Sequence, residues 1–429
     1  MQKLFQKILI FLAKMYLWRY QPTIIAVTGN VGKSSTRDAI AAVMRSKGSV
    51  RVGVGSINNL FGVPLTILSD DVSEYLTAGG TPWFWFKTLL FSKLRLLTFR
   101  PYPQYVVLEY GADHPGDIKQ LAHLFPPHVG VVTAVGDVPV HVEYFSDPDQ
   151  LANEKSHLVH AIKSGGHAIL NQDDDAVLAM KDKTTASVVT FGFGDHAGVR
   201  ISNYEISFDE HNRPEGVTFK LHCGGSFVPV KLYGSLGKSQ AYAAAAAAAV
   251  GVALNMNLVD ISAALGSYQG PNGRLKILKG IKDTIILDDT YNASPAAMHI
   301  AFETLRDVAA PRRIAVLGDM LELGRYTADA HQTVGNLAGS IANILVCVGD
   351  KGRLIADAAA NQLPQENIFW FETSDEAKSK VQELIQPGDV VLVKGSQGKR
   401  MEKIVKEIMA QPEKASDLLV RQSVRWLEK

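Results

Sequence analysis

Short apolar runs rich in β-branched residues alternate along this chain with stretches in which apolar positions return every three or four residues. Residues 23–27, "VVLEYGA" at 106–112, "VGVVTAV" at 129–135 and "HAILN" at 167–171 are strand-like runs with helical patterns between them. Strands alternating with helices predict a mostly parallel sheet covered by helices on both faces. From 187 to 232 the pattern changes to short alternating strands punctuated by Gly, Asp and Asn, which predicts an antiparallel flap on the same domain. The alanine run at 243–249 predicts a closely packed, buried helix. Glycine and proline in "QGPNGRL" (269–275) mark a linker. Beyond it, "TIILDDTYN", "RRIAVLGDM", "NILVCVGD" and "DVVLVKGS" form a second α/β unit with polar residues at its strand ends, where such sheets place ligands.

The expected fold class is therefore α/β: a P-loop-type, mostly parallel central sheet domain with an antiparallel flap, then a Rossmann-like C-terminal domain. The expected divisions are a basic amphipathic arm (1–22), a central domain (23–272) with a hydrophobic, basic insertion at about 72–103, a C-terminal domain (273–410), and a linker with a terminal helix (411–429). A length of 429 residues suits this plan, since domains usually run to about 100–200 residues. A net charge of +1 gives no support to a general nucleic-acid binder. Cys223 and Cys347 lie far apart without ligand spacing and read as buried thiols of a reducing, cytoplasmic compartment.

Two segments stand apart. Residues 1–20 contain no acid, and helical geometry puts Lys3, Lys7 and Lys14 on one face. Residues 81–100 are also acid-free, carry Lys87, Lys93, Arg95 and Arg100, and together with the first segment hold Trp18, Trp83 and Trp85. Both are too short or too interrupted to span a bilayer. They read either as helices lying in a membrane interface or as helices packed on each other or on a partner subunit.

The stretch "VTGNVGKSST" (27–36) follows the first strand and opens a helix. Backbone N–H groups around Gly29, Asn30 and Gly32 would cradle a triphosphate, with Lys33 reaching its outer phosphates and Ser34 and Ser35 beside Mg²⁺ and the nucleotide. The spacing departs from the common P-loop, because Val27 stands where a first glycine is expected, and the bland alternative is a strand-to-helix turn. Glu109, at the end of the second strand, is a candidate Mg²⁺ ligand. His141 and Glu143 follow the third strand, and the same sheet edge would gather them. Lys155, in a following helix with acids nearby, reads by default as a surface lysine.

The glycine loop, "NNLFGVPLTIL" (58–68), "EYGADHPGDI" (109–118), "HVEYFSDPDQLANEK" (141–155), "DDTYNASP" (288–295), "LGDMLELG" with His331 beyond, and "VLVKGS" (391–396) occur in that order, and the chain resembles the Mur ligases over about 23–408. The resemblance is strongest to the branch that adds D-alanyl-D-alanine to a peptidoglycan precursor peptide. It implies that a substrate carboxylate attacks the γ-phosphate of ATP and that an amine displaces phosphate from the resulting acyl phosphate. It implies Lys33 on the migrating phosphoryl group, Ser34 and Glu109 on one Mg²⁺, His141 on a second, and Lys155 as a carbamylated ligand. Arg274, Asp289 and Asn292 would reach the nucleotide from the C-terminal domain, Asn58 and Asn59 would contact substrate, and Lys394, Gly395 and Ser396 would face the incoming amine. A monomer is expected.

Departures from the family are also legible. The usual N-terminal uridine-diphosphate-binding domain is expected to be missing, with the basic arm in its place. "GSLGKSQAYAA" stands where glycine and histidine are usual, and Gln397 stands where arginine is usual. The expected absence of that domain and the two acid-free segments favour a rival reading, the same chemistry on a lipid-linked acceptor at the membrane surface. A catalytically silent membrane-surface binding protein is a third reading, which the presence of Lys33, Ser34, Glu109, His141 and Lys155 opposes.

Overall fold

The computed structural model describes residues 2–427 apart from 54, 56, 71, 73, 76–79, 99, 137–144 and 146. The first sheet is built from β1 (Thr23–Thr28), β2 (Val50–Val52), β3 (Tyr105–Glu109), β4 (Val129–Val132), β5 (His167–Asn171), β6 (Ser187–Gly192), β7 (Val199–Phe208), β8 (Pro214–Cys223) and β9 (Ser226–Tyr233), in the order β2-β3-β1-β4-β5-β6-β7-β8-β9. Every pairing from β2 to β7 is parallel, and only β7-β8-β9 run antiparallel. The flap is therefore continuous with the central sheet, and its antiparallel part begins one strand after residue 187.

β1 has no polar face because both of its faces are covered. Ile25 and Val27 point into the core shared by helix α2 (Lys33–Arg45) and the alanine-rich helix Lys238–Ala253. Ile24 and Ala26 point the other way, into a core with Leu9, Leu12 and Tyr16 of helix α1 (Gln2–Tyr20) and Val63 and Ile67 of helix α3 (Gly62–Leu68). Small side chains let α2 and the alanine-rich helix approach closely: a Cβ on Gly251 would lie 3.3 Å from Val43 and 2.8 Å from Ile261. Helix α4 (Pro82–Leu97) starts where the Thr81 hydroxyl accepts the Phe84 N–H, with proline in its first turn. It lies against α1, joined by the Tyr16 hydroxyl donating to Ser92 O at 3.1 Å and by Phe5 edge-on to Trp85.

The second sheet contains β10 (Lys276–Lys279), β11 (Ile285–Asp289), β12 (Arg313–Gly318), β13 (Ile344–Val348), β14 (Ile368–Phe371) and β15 (Val390–Lys394), in the order β10-β11-β15-β12-β13-β14. All pairings but β10-β11 are parallel. The last strand inserts between β11 and β12, so Asp289 and Lys394 end adjacent strands in register. That change of strand order opens a crevice at the polar strand ends, and the crevice faces the glycine loop of the first sheet. The tail beyond residue 410 folds back on this domain, burying Ala415 and Leu419. Cys223 and Cys347 are both free.

Candidate active site

The turn between β1 and α2 is fixed by its glycines. Gly29 has φ +143°, and a Cβ there would fall 2.0 Å from the Thr133 hydroxyl. Gly32, at φ +86°, brings the chain into α2 in the left-handed region that glycine tolerates best. The Lys33 ammonium reaches back across the turn, donating to Gly29 O at 2.8 Å and Asn30 O at 3.3 Å. Burial holds its pKa below the ordinary lysine range, with Glu109 opposing that shift.

Glu109 is the hub of the first-sheet side and is almost wholly buried. Its Oε2 accepts the Ser34 hydroxyl at 3.0 Å and Arg37 Nη1 at 3.3 Å, and its Oε1 accepts Asn58 Nδ2 at 3.2 Å. Arg37 lies one helical turn after Ser34, a spacing that could have singled it out. Asn59 caps α3 instead, its Oδ1 accepting the N–H groups of Phe61 and Gly62, both at 3.0 Å.

Lys155, on the helix Pro148–His160, is 2% exposed, which overturns the default reading of a surface lysine. Burial and then the nearby Lys33 charge push its pKa well below the ordinary value, while Glu154 and Asp113 pull the other way. Glu154 itself accepts the N–H groups of Gly116, Ile118 and Lys119 at 2.7 to 3.1 Å and so anchors the start of the neighbouring helix Asp117–Leu124. His141 and Glu143 lie outside the described residues. Among the described residues no group of three or more His, Cys, Asp or Glu gathers into a metal cluster.

From the second sheet, the Arg274 guanidinium sits 4.0 Å over the Tyr291 ring. The Lys394 ammonium pairs with Asp289 at 2.5 Å and donates to Asn292 O at 3.0 Å, inside the protein. The Ser396 hydroxyl accepts the Leu321 N–H at 2.9 Å, and Gly395 packs against the backbone of Gly318. Lys394, Gly395 and Ser396, which the resemblance expects to face an incoming amine, are buried and tie the end of β15 to its neighbours. Lys394 also lines a small recess beside the crevice, and Gln397 and Glu322 line the crevice itself.

The crevice is a cavity of about 450 Å³. Lys33, Ser34 and Glu109 line it from the first sheet and Arg274, Tyr291 and Asn292 from the second. Asn30, Asn58 and Asn59 also border it, whereas Gly32, Ser35, Asp289 and Lys394 line a small recess beside it together with Arg274. A second cavity of about 200 Å³ adjoins the glycine loop, sharing Val31, and is lined by Gly32, Thr133, Asn171, Asp173, Tyr242 and Ile300. The Tyr242 hydroxyl donates to Asp173 at 2.8 Å across it. The sequence reading gave Asp173 and Tyr242 no role, although the acidic run "QDDD" after β5 marked the place.

A family model of the Mur ligase middle domain matches residues 91–251, and one of the Mur ligase glutamate ligase domain matches residues 273–397. The chain belongs to the Mur ligases. This Mur ligase is 32% identical, over 87% of its length and 71% of the relative's, to the UDP-N-acetylmuramoyl-tripeptide--D-alanyl-D-alanine ligase of Mycobacterium leprae. It is 26% identical to the Bacillus subtilis protein of that name, over 94% and 79% of the two chains. A crystal structure of MurF from Acinetobacter baumannii superposes with a TM-score of 0.76 at 27% identity, covering 93% of this chain and 79% of the other. The fold is shared with Thermotoga maritima MurF in complex with ADP, at TM-score 0.75 and 23% identity, covering 95% and 84%. As a Mur ligase, the protein is an ATP-dependent ligase.

Proposed function

We propose that this Mur ligase joins D-alanyl-D-alanine to the terminal carboxylate of a muramoyl-tripeptide, using ATP to form an acyl phosphate. The observation that carries the reading is the single cavity in which Lys33, Ser34 and Glu109 face Arg274 and Asn292 from the opposite sheet. A carboxylate oxygen of the acceptor attacks the γ-phosphorus, and the bond from that phosphorus to the bridging oxygen of ADP breaks. The amine nitrogen then attacks the acyl carbon, phosphate departs with one acceptor oxygen, and the amine loses a proton.

Lys33 exchanges its loop carbonyls for the migrating phosphoryl group, and Arg274 meets the phosphates from the other domain. The adjoining cavity between Gly32 and Tyr242 takes the nucleoside end. Ser34 and Glu109 present hard oxygens 3.0 Å apart, a donor pair suited to Mg²⁺, which retains part of its water shell. An Mg²⁺ ion held there would neutralise charge that repels the attacking carboxylate. Carbamylation needs a neutral amine, and burial holds the Lys155 amine toward that state. A carbamate on Lys155 would add an anionic oxygen donor, and His141 is the residue for a second ion.

A second reading, an acceptor carried on lipid, is favoured by the apolar outer faces of α1 and α4. The test compares ATP-dependent phosphate release, and product mass, with D-alanyl-D-alanine and either a UDP-muramoyl-tripeptide or its lipid-linked counterpart. Product from either acceptor supports the ligase reading and decides between the two. No product from either would overturn it.

A further inference from the structure

We propose that the outer face of α1 and α4 docks on the surface of an anionic lipid bilayer, with both helices lying in the interface. α1 is apolar on two sides. Leu9, Leu12, Ala13 and Tyr16 are buried against the sheet. Leu4, Ile8, Phe11, Met15 and Trp18, spaced four, three, four and three residues apart, form a continuous stripe facing outward, with Trp18 78% and Phe11 63% exposed.

α4 too is apolar on two sides: Phe84 is buried with Thr88 and Ser92, and Trp85, Leu89 and Leu96 pack against the core, while Trp83, Phe86, Leu90, Leu94 and Leu97 point outward. The contacts Phe5 with Trp85, Tyr16 with Ser92 and Tyr20 with Arg95 advance together along the two helices. α1 and α4 are therefore parallel neighbours.

Charge selects the occupant. Neither 1–20 nor 81–100 contains an acid, and Lys7, Lys14, Lys93 and Arg100 are exposed beside the stripes. Apolar residues edged by cations and tryptophan match the boundary between acyl chains and anionic headgroups. Where α1 ends, a groove of about 500 Å³ lined by Lys14, Trp18, His128 and Lys163 has room and positive charge for a headgroup phosphate. No helix among the described residues is long and apolar enough to cross a membrane, which fits docking on the surface. α1 rests on α3, whose cap Asn59 borders the catalytic cavity, so docking brings the acceptor side of the site close to the bilayer.

The test uses the full chain in co-sedimentation with vesicles of phosphatidylcholine alone or mixed with phosphatidylglycerol, and quenching of tryptophan fluorescence by lipids brominated on their acyl chains. Binding to the anionic vesicles, weakened by salt and accompanied by quenching, is expected. Trp18→Glu with Trp83→Glu should cut binding about tenfold or more with the circular dichroism spectrum unchanged, since both positions are exposed. Lys14→Gln and Lys93→Gln should each lower it about fivefold at low salt. Absence of binding to anionic vesicles at low salt would overturn the proposal. So would a dimer that Trp18→Glu dissociates without any vesicle binding, which would assign the face to a second copy of the chain. ATP turnover on a soluble acceptor should be unchanged in the tryptophan variants, so failure here is separable from failure of the ligase reading.

Discussion

Arg421 closes on Glu402 inside the C-terminal domain, with Nη2 2.8 Å and Nε 3.0 Å from the same carboxylate oxygen. The same guanidinium donates to the carbonyl of Tyr291 at 3.0 Å and to that of Thr290. The tail thus holds the loop whose Tyr291 ring carries Arg274 at the cavity between the two sheets. Arg421→Met should destabilise the domain by about 3 kcal/mol, because it strips a partner from a buried carboxylate. It should also raise the KM for ATP more than it lowers kcat. Denaturant unfolding and initial-rate kinetics read the two effects, and an unchanged KM would restrict Arg421 to stability alone.

Lys33→Ala should lower kcat by about a thousandfold or more with the fold intact, since a preorganised cation on the migrating phosphoryl group acts chiefly in the transition state. Single-turnover phosphate release measures this. A loss of less than about tenfold would mean that Lys33 serves mainly to hold the loop carbonyls.

Much of this arrangement was legible in the chain because local rules and global fold agree. The glycine loop, the strand-end Glu109 and the polar ends of β11 and β15 follow from strand and turn patterns alone. Lys155 was misleading because burial is a tertiary property: the acids around it in sequence suggested a solvated face, yet the helix turns it inward. Lys394 ends β15 and Ser396 follows it, and the pairing of Lys394 with Asp289 at the end of the adjacent β11 decides which way the lysine points. The long-range pairs Tyr242 with Asp173 and Arg421 with Glu402 leave no local signature.

Lys155 should carry one carbon dioxide in intact-protein mass spectra recorded under bicarbonate, and activity should fall when bicarbonate is removed. Lys155→Ala should abolish activity, with partial recovery on adding a small carboxylic acid. Insensitivity of mass and rate to bicarbonate would count against the carbamate.

Asp288 is buried, its Oδ1 held by Thr290 and its Oδ2 without a hydrogen-bond partner among the described residues. Burial pushes its carboxyl up from 3.8 to about 6. A carboxyl raised in the folded state favours folding while protonated, so its contribution is full below about pH 4 and is lost as pH rises through about 6. Asp288→Asn should therefore be more stable than the parent at pH 8, by up to about 3 kcal/mol, and nearly equal to it at pH 4. Thermal unfolding at the two pH values checks this, and a difference independent of pH would show that the carboxyl does not titrate in this window.

In the proposed reaction, acceptor oxygen passes to phosphate through an acyl phosphate. An acceptor peptide labelled with heavy oxygen in its terminal carboxylate tests it most directly when incubated with ATP, Mg²⁺ and D-alanyl-D-alanine. Released phosphate should carry one heavy oxygen and the amide carbonyl should retain the other. Unlabelled phosphate released alongside amide product would contradict it.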